Sequence, residues 1–223
     1  MAYNKTSLTA EEKEIFDVQF PILVTKHLKY REFTDIFEDN RDVILEAAEV
    51  AKYQLEAVFG GVNCTTSQFG WTLPTAGMFK QSSSTHAYST STWNKYITTA
   101  NLTTVSSTYG WLDYVGTSST AFKMSKYGCM VILGFMDPVD EPKVDGIIAT
   151  IKAVDYPRWD MSWEMTGSDL NIFELIDPII LEKEQDLYLQ EHVVAAGLDK
   201  LQPIAICFGK GDWLRNKNAY AQV

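Results

Sequence analysis

The chain has 223 residues, 46% of them hydrophobic, which permits one large β domain or two small ones with a real core. Its net charge of −10 is concentrated in residues 1–60, net −5, and in residues 121–223, net −6. An acidic chain without a basic stripe argues against direct nucleic-acid binding and against docking on an anionic membrane surface.

Localisation and cofactor signals are weak in this sequence. The start, Met1 to Lys5, lacks the apolar segment of a signal peptide, and the run Cys129–Met136 is far too short to span a membrane. The three cysteines, Cys64, Cys129 and Cys207, lack the spacing of a zinc site, so we interpret them as buried free thiols. We therefore expect synthesis in a reducing cytoplasm, no metal and no cofactor.

The first sixty residues predict an N-terminal helical segment, residues 1–60. The sequence Thr9 to Glu12 fits a capping box, and the strongest helix runs from Arg41 to Phe59 with Asn40 as its N-cap. Its apolar residues recur with the 3.6-residue period of an amphipathic helix. One apolar stripe needs only one partner surface, which favours packing on its own domain over packing on a neighbouring copy.

A second region, Gly61 to Thr120, has an unusual composition: 24 Ser/Thr, nine aromatic residues and only three charged side chains. Flexible linkers lack Trp and Tyr, and exposed loops carry charge, so this window is expected to be ordered against a partner surface. Residues 94–105 are predicted to form a hairpin. We interpret residues 61–127 as an insertion in a β-sandwich domain that spans residues 61–223.

From Cys129 onward the pattern is typical of β-strands separated by turn residues every eight to twelve positions. The apolar run Cys129 to Phe135 predicts a strand buried on both faces, and Arg158 to Thr166 alternates as a half-buried strand does, with Trp159 and Trp163 directed into the core. Further strands are predicted at residues 146–154, 171–176, 178–182, 186–194 and 203–209. The expected fold is α+β, mainly β: a helical segment followed by an antiparallel, jelly-roll-like β-sandwich.

No catalytic constellation emerges from the sequence. The three histidines have no ligand-spaced partner; His86 lies in a Ser-rich loop beginning at Ser82, and His192 is interpreted as a sheet-surface residue. The acidic turn around Asp137, Asp140 and Glu141 lacks the spacing of a Ca²⁺ loop, and we expect it to be solvated. A hydrolase that uses the Ser82–His86 loop remains a third, weaker hypothesis.

These observations lead to a first hypothesis, a non-enzymatic, self-assembling structural protein of a virus or phage particle, such as a coat, decoration or neck/tail protein. Its partners would be copies of itself and other structural proteins of the same particle, and its mature location the virion. The alternative is a carbohydrate-binding or adhesin-like β-sandwich module. The residues expected at an interface are the aromatic ones of the low-charge window: Trp71, Trp93, Tyr96, Trp111 and Tyr114.

Overall fold

The computed structural model describes residues 8–10, 31–58, 69–74, 76–79, 95–97, 110–117, 119–161, 171–211 and 213–214. Three helices lie among these residues, α1 (Arg31–Asp39), α2 (Arg41–Val58) and the short α3 (Ala76–Phe79). The strands described are, in chain order, β1 (Phe69–Thr72), β2 (Lys95–Ile97), β3 (Gly110–Val115), β4 (Phe122–Lys123), β5 (Gly128–Met136), β6 (Val144–Ile151), β7 (Val154–Asp155), β8 (Trp159–Asp160), β9 (Ile172–Leu181), β10 (Asp186–Val193), β11 (Gly197–Asp199) and β12 (Gln202–Lys210).

All the strands named above except β2 and β11, which form a separate two-stranded ribbon, belong to two antiparallel sheets with a crossed connectivity. The first sheet has the order β1–β12–β5–β9, and the second has the order β3–β10–β6–β7, with β4 added beside β10 and β8 beside β6. The eight main positions are β1, β3, β5, β6, β7 together with β8, β9, β10 and β12. Numbered 1 to 8 in chain order, they read 1-8-3-6 in the first sheet and 2-7-4-5 in the second. Almost every connection therefore crosses from one sheet to the other, which is the connectivity of a jelly roll. The predicted mainly-β sandwich is confirmed.

The two central strands of the first sheet, β5 and β12, are buried on both faces. On the inner face, Met130, Ile132 and Cys207 join the main core together with side chains of the second sheet. On the outer face, Val131 and Phe208 join a separate cluster beneath α2. The apolar run that predicted a doubly buried strand is therefore confirmed, since residues 129–133 are all 0% exposed.

Helix α2 packs on the first sheet of its own chain, against β5 and β12. Ile44 and Ala47, both 0% exposed, lie on its buried face, and small residues there allow a close approach to the sheet. Both ends are tied to β9 or the turn after it. Asn40 Nδ2 donates to Glu174 Oε1 (2.6 Å), and Gln54 Oε1 accepts from the amide of Lys183 (3.1 Å).

The predicted position of the N-cap at Asn40 is confirmed, and the side-chain Nδ2 of Asn40 makes bonds that differ from the usual N-cap contact. The helix does begin at Arg41, directly after Asn40. The Asn40 amide group, however, donates to the carbonyl of Ile36 (2.9 Å), so the side chain bonds to the last turn of α1 and to β9. The close succession of two helices explains the difference, because Asn40 lies between a C-terminus and an N-terminus. Glu12, the predicted N3 residue of the capping box, lies outside the described part of the chain.

The two strands predicted at residues 171–176 and 178–182 are one continuous strand, β9, in the structure. Ile132 of β5 pairs with Ile179, and Gly134 pairs with Glu174, so four residues of β9 stand opposite the single residue between them. The last of these four residues is Pro178, which has no amide hydrogen to donate to the ladder. Proline is tolerated here because β9 is an edge strand of the described sheet. At Gly134 a Cβ atom would lie 2.3 Å from the carbonyl oxygen of Phe173, so the close approach requires glycine.

The buried face of α2 supplies a direct test of its packing. Ile44→Ala removes a fully buried side chain between the helix and the sheet and is expected to lower the free energy of unfolding by about 2–5 kcal/mol. Asp42→Ala, on the exposed side of the same helix turn, should cost less than about 1 kcal/mol. Urea unfolding of both variants gives the two values. Equal, small losses would mean that α2 does not pack as described.

Candidate functional site

Four side chains meet on the outer face of the second sheet and form what we term the Trp111 cluster: Trp111, Asp145, Arg158 and His192. Trp111 lies on β3 opposite His192 on β10, and their ring centroids are 5.0 Å apart. His192 in turn lies opposite Gly146 on β6, the residue after Asp145. The antiparallel register of three strands thus places the cluster, and the sequence separation within it exceeds 80 residues.

Arg158 crosses this face from the segment before β8. Its guanidinium carbon lies 5.3 Å from the centroid of the Trp111 ring, and Nη2 lies 3.5 Å from Asp145 Oδ1. A Cβ atom at position 146 would lie 2.9 Å from Arg158 Nε, so a larger residue there would displace the Arg158 side chain from this path. A cation over an indole ring at such a site contributes about 0.5–1 kcal/mol.

Asp145 joins the two basic side chains. Its Oδ1 is 2.6 Å from His192 Nδ1 and accepts a hydrogen bond when the proton is on that nitrogen. The side chains of Arg158, Asp145 and His192 are 40%, 28% and 18% exposed, so water screens the ion pairs and their net contribution is small. Beside the cluster, the hydroxyl of Tyr188 donates to Asp113, and burial followed by that contact raises the pKa of Tyr188.

The described contacts of this cluster suit recognition of a ligand or a partner surface. A histidine oriented by a carboxylate resembles half of a nucleophile-activating unit. Among the contacts described for His192, however, none is with a hydroxyl or a thiol. What the cluster presents to solvent is an arginine, an imidazole and the edge of an indole on a sheet. His192 is a sheet-surface histidine, as the sequence predicted.

The residues predicted at an interface are placed in different environments. Trp111 is in the cluster, whereas Trp71 on β1 packs at the margin of the apolar cluster beneath α2. Tyr114 is 1% exposed, and its hydroxyl donates to the carbonyl of Leu201 (2.8 Å), so it is a core residue of this chain. Tyr96 is on β2, which pairs with β11. Trp93 lies outside the described residues, as do His86 and Ser82, and contact with another molecule stays a prediction.

Exposed apolar side chains occupy the margins of the sandwich. Ile176, in the β9 bulge, is 90% exposed; Val154 on β7 is 61% exposed, and Leu198 on β11 is 42% exposed. Each of these strands has a neighbour on one side only among the described strands. Sequence periodicity could not have found them, since Ile176 and Val154 read as ordinary strand residues.

The acidic turn after β5 differs from its prediction. Asp140 and Glu141 are exposed, as expected of a solvated turn, but Asp137 is 0% exposed, and so is Asp199 at the end of β11. Asp137 directly follows Met136, whose pairing with Gln202 ends the β5–β12 ladder and brings Asp137 beside the segment that precedes β12. Within the described residues, no group of three or more His, Cys, Asp or Glu side chains is arranged to hold a metal ion.

The two described cysteines match the expectation of buried free thiols. Cys129 faces the cluster beneath α2, and Cys207 faces the core between the sheets. Burial is the main cause that raises the pKa of both thiols, so they remain protonated and unreactive.

Comparison with protein-family models, with curated proteins and with solved structures finds no match to this chain. None of the described helices is long and apolar enough to cross a membrane.

The crossing of Arg158 over Gly146 can be tested with a double-mutant cycle. Gly146→Ala places a methyl group against the Arg158 side chain and displaces it from Trp111, which should cost about 0.5–1 kcal/mol of stability. Arg158→Ala removes that obstacle, so Gly146→Ala should cost clearly less in the Arg158→Ala background. Denaturant unfolding of the four proteins measures the coupling. Strictly additive losses would show that Arg158 does not lie over Gly146.

Proposed function

We propose that this chain is a self-assembling structural protein without enzymatic activity, a coat, decoration or neck/tail component of a virus or phage particle. The observation that carries the proposal is the strand order, 1-8-3-6 against 2-7-4-5, because jelly rolls with this two-sheet design recur in viral capsid domains. The same architecture is found in lectins and cupins, so features of this chain's own surface must support the choice.

The sandwich margins supply that support. A side chain as apolar as Ile176 gains from leaving water, and at 90% exposure it has almost no cover from its own chain. With Val154 and Leu198 it places apolar contact points on strands at the edges of the described sheets, where a second chain can pack. The partners in this proposal are copies of the chain and other proteins of the same particle, and its mature location is the virion.

The margins also suggest how copies would meet. The β9 bulge and Pro178 interrupt the ladder on that edge, which disfavours addition of a continuous strand from a neighbour. Contact through side chains, with Ile176 inserted into a neighbouring surface, fits the geometry better. In such an assembly the first sheet and the helix α2 that covers it would remain intact, since α2 packs on its own chain.

The mass of the purified protein, measured by light scattering coupled to size exclusion, tests this proposal. A discrete oligomer or a larger particle is expected over a wide concentration range, and Ile176→Ser should shift the distribution toward smaller species. Asp177→Ser is a matched control, because the neighbouring residue is also exposed and is changed to the same side chain. A monomer at every concentration for the unmodified chain would contradict the proposal.

The alternative, a carbohydrate-binding or adhesin-like module, is favoured by one feature, the Trp111 cluster. An indole on a sheet face, flanked by hydrogen-bonding groups from neighbouring strands, is a common way to hold a sugar ring. Arg158 lies over the Trp111 ring and competes for it, which weighs against this reading.

A glycan screen with two variants separates the alternative from the main proposal. If Trp111 stacks on a sugar, Trp111→Ala should abolish binding, whereas Arg158→Ala should strengthen it by uncovering the ring. Binding that survives Trp111→Ala would rule out this platform.

A further inference from the structure

One lateral margin of the sandwich carries two of the exposed apolar side chains. Strand β9 is last in the order of the first sheet, and β7 is last in the order of the second. Residues 137–143 connect β5 to β6, and residues 194–201 connect β10 to β12, so the strands of each pair face each other across the core. The β9 edge with Ile176 and the β7 edge with Val154 therefore lie on the same side of the molecule.

The β7 edge is a hairpin whose tip presents a lysine to solvent. Ile151 of β6 pairs with Val154 of β7, so the turn consists of Lys152 and Ala153 alone. Both turn residues have positive φ, 51° and 60°, which asparagine and glycine adopt more readily than lysine and alanine do. The turn itself thus gains nothing from lysine, and the exposed Lys152 side chain is suited to a contact outside the hairpin.

Apolar side chains continue this edge beyond the tip. Val154 is followed by Tyr156, which is 39% exposed. The Tyr156 ring has its centroid 6.2 Å from that of Trp159, and Trp159 packs against the main core. The apolar surface at β7 therefore extends from the core to solvent, and a ring fixed by the core supports its exposed part.

The β9 edge has the complementary character. Ile176 is almost fully exposed, and Glu174, two residues before it in the strand, is exposed as well. The Glu174 carboxylate is held in place, because its Oε1 accepts from Asn40 Nδ2 (2.6 Å). Glu38 and Asp39, exposed at the end of α1, add negative charge beside it. The β9 edge thus combines an apolar side chain with acids, whereas the β7 edge combines an apolar side chain with a base.

We propose that this margin is the contact between two copies of the chain that are related by a two-fold axis. If the axis bisects the line from Ile176 to Val154, each copy places its Ile176 against Val154 of the partner subunit. The same rotation brings Lys152 toward Glu174 of the partner subunit, and every contact occurs twice. This inference rests on the proposed self-assembly and specifies one of its contacts.

A second copy satisfies both edges at once. Any other partner would have to supply an apolar and basic surface for β9 and an apolar and acidic surface for β7. A copy of this chain carries both surfaces at the required spacing, and the two-fold contact buries the apolar side chains of both. Contact through side chains also suits β9, because its bulge and Pro178 interrupt the ladder that a continuous added strand would need.

Disulfide cross-linking tests the pairing of the two edges. Cys64→Ser leaves the buried Cys129 and Cys207 as the remaining native thiols, and Ile176→Cys and Val154→Cys are made in that background. After mild oxidation, a mixture of the two single variants should give a covalent dimer, whereas neither variant alone should. The double variant should also stop at a covalent dimer, because a two-fold contact closes. Within one copy the two sheets are about 10 Å apart, too far for a disulfide between these sites.

A charge reversal gives an independent readout of the same contact. Lys152→Glu places like charges together at both copies of the contact and should raise the dissociation constant of the dimer about ten-fold. Lys152→Arg should retain the affinity of the unmodified chain. Lys123→Glu is the matched control and should also retain it, since this exposed lysine lies on β4, on the side of β10 away from β6 and β7.

The outcomes separate this contact from the proposed assembly. If the unmodified chain assembles but the mixed single variants give no covalent dimer, the two-fold contact is wrong and the assembly uses another surface. A ladder of covalent multimers from the double variant would also overturn it, because an open head-to-tail contact would then join the two edges. A chain that is monomeric at every concentration contradicts both this contact and the proposed function.

Discussion

Strands β5 and β12 are enclosed on both faces, by the second sheet on one side and by α2 on the other. Along residues 129–133 and 204–208 each side chain therefore contributes to one of two apolar clusters, and none of these positions carries a charged side chain. The arrangement also determines where α2 can lie, since its small residues Ala47 and Ala51 must meet the outer face of the sheet. Removing the helix would expose Val131, Leu133 and Phe208 to water.

This constraint separates the centre of the molecule from its margins. At the centre, burial selects apolar residues and regular pairing, and bulges are confined to single steps of the ladder. At the margins, strands have a free side, and the chain uses a wide bulge with Pro178 in β9 and leaves Ile176 in solvent. Exposed apolar side chains on the edge strands of the sheets are suited to lateral contact with neighbouring molecules, and this is the physical basis of the proposed assembly.

Charged groups are handled in two contrasting ways. In the Trp111 cluster, Asp145 is partly hydrated and is shared between Arg158 and His192, so opposite charges compensate at little desolvation cost. Asp137 and Asp199, by contrast, are fully enclosed, and burial together with the nearby Asp199 raises the pKa of Asp137. The first arrangement ties neighbouring strands together on an open face, and the second places acidic side chains in the interior at the end of β5.

The sequence by itself determined the local elements. The helix from Arg41, the doubly buried run after Cys129 and the strand that carries His192 all follow from periodicities of 3.6 and 2 that depend on near neighbours. Only the tertiary structure decided which strands pair, that residues 171–182 belong to one bulged strand, and that Arg158 reaches Trp111 across three strands. It also decided that Asp137 is buried. Local polarity predicts a solvated turn, whereas the burial depends on Gln202, far along the chain, which pairs with Met136 beside it. Pairing between distant segments depends on the packing of the whole core, and no short window of residues carries that information.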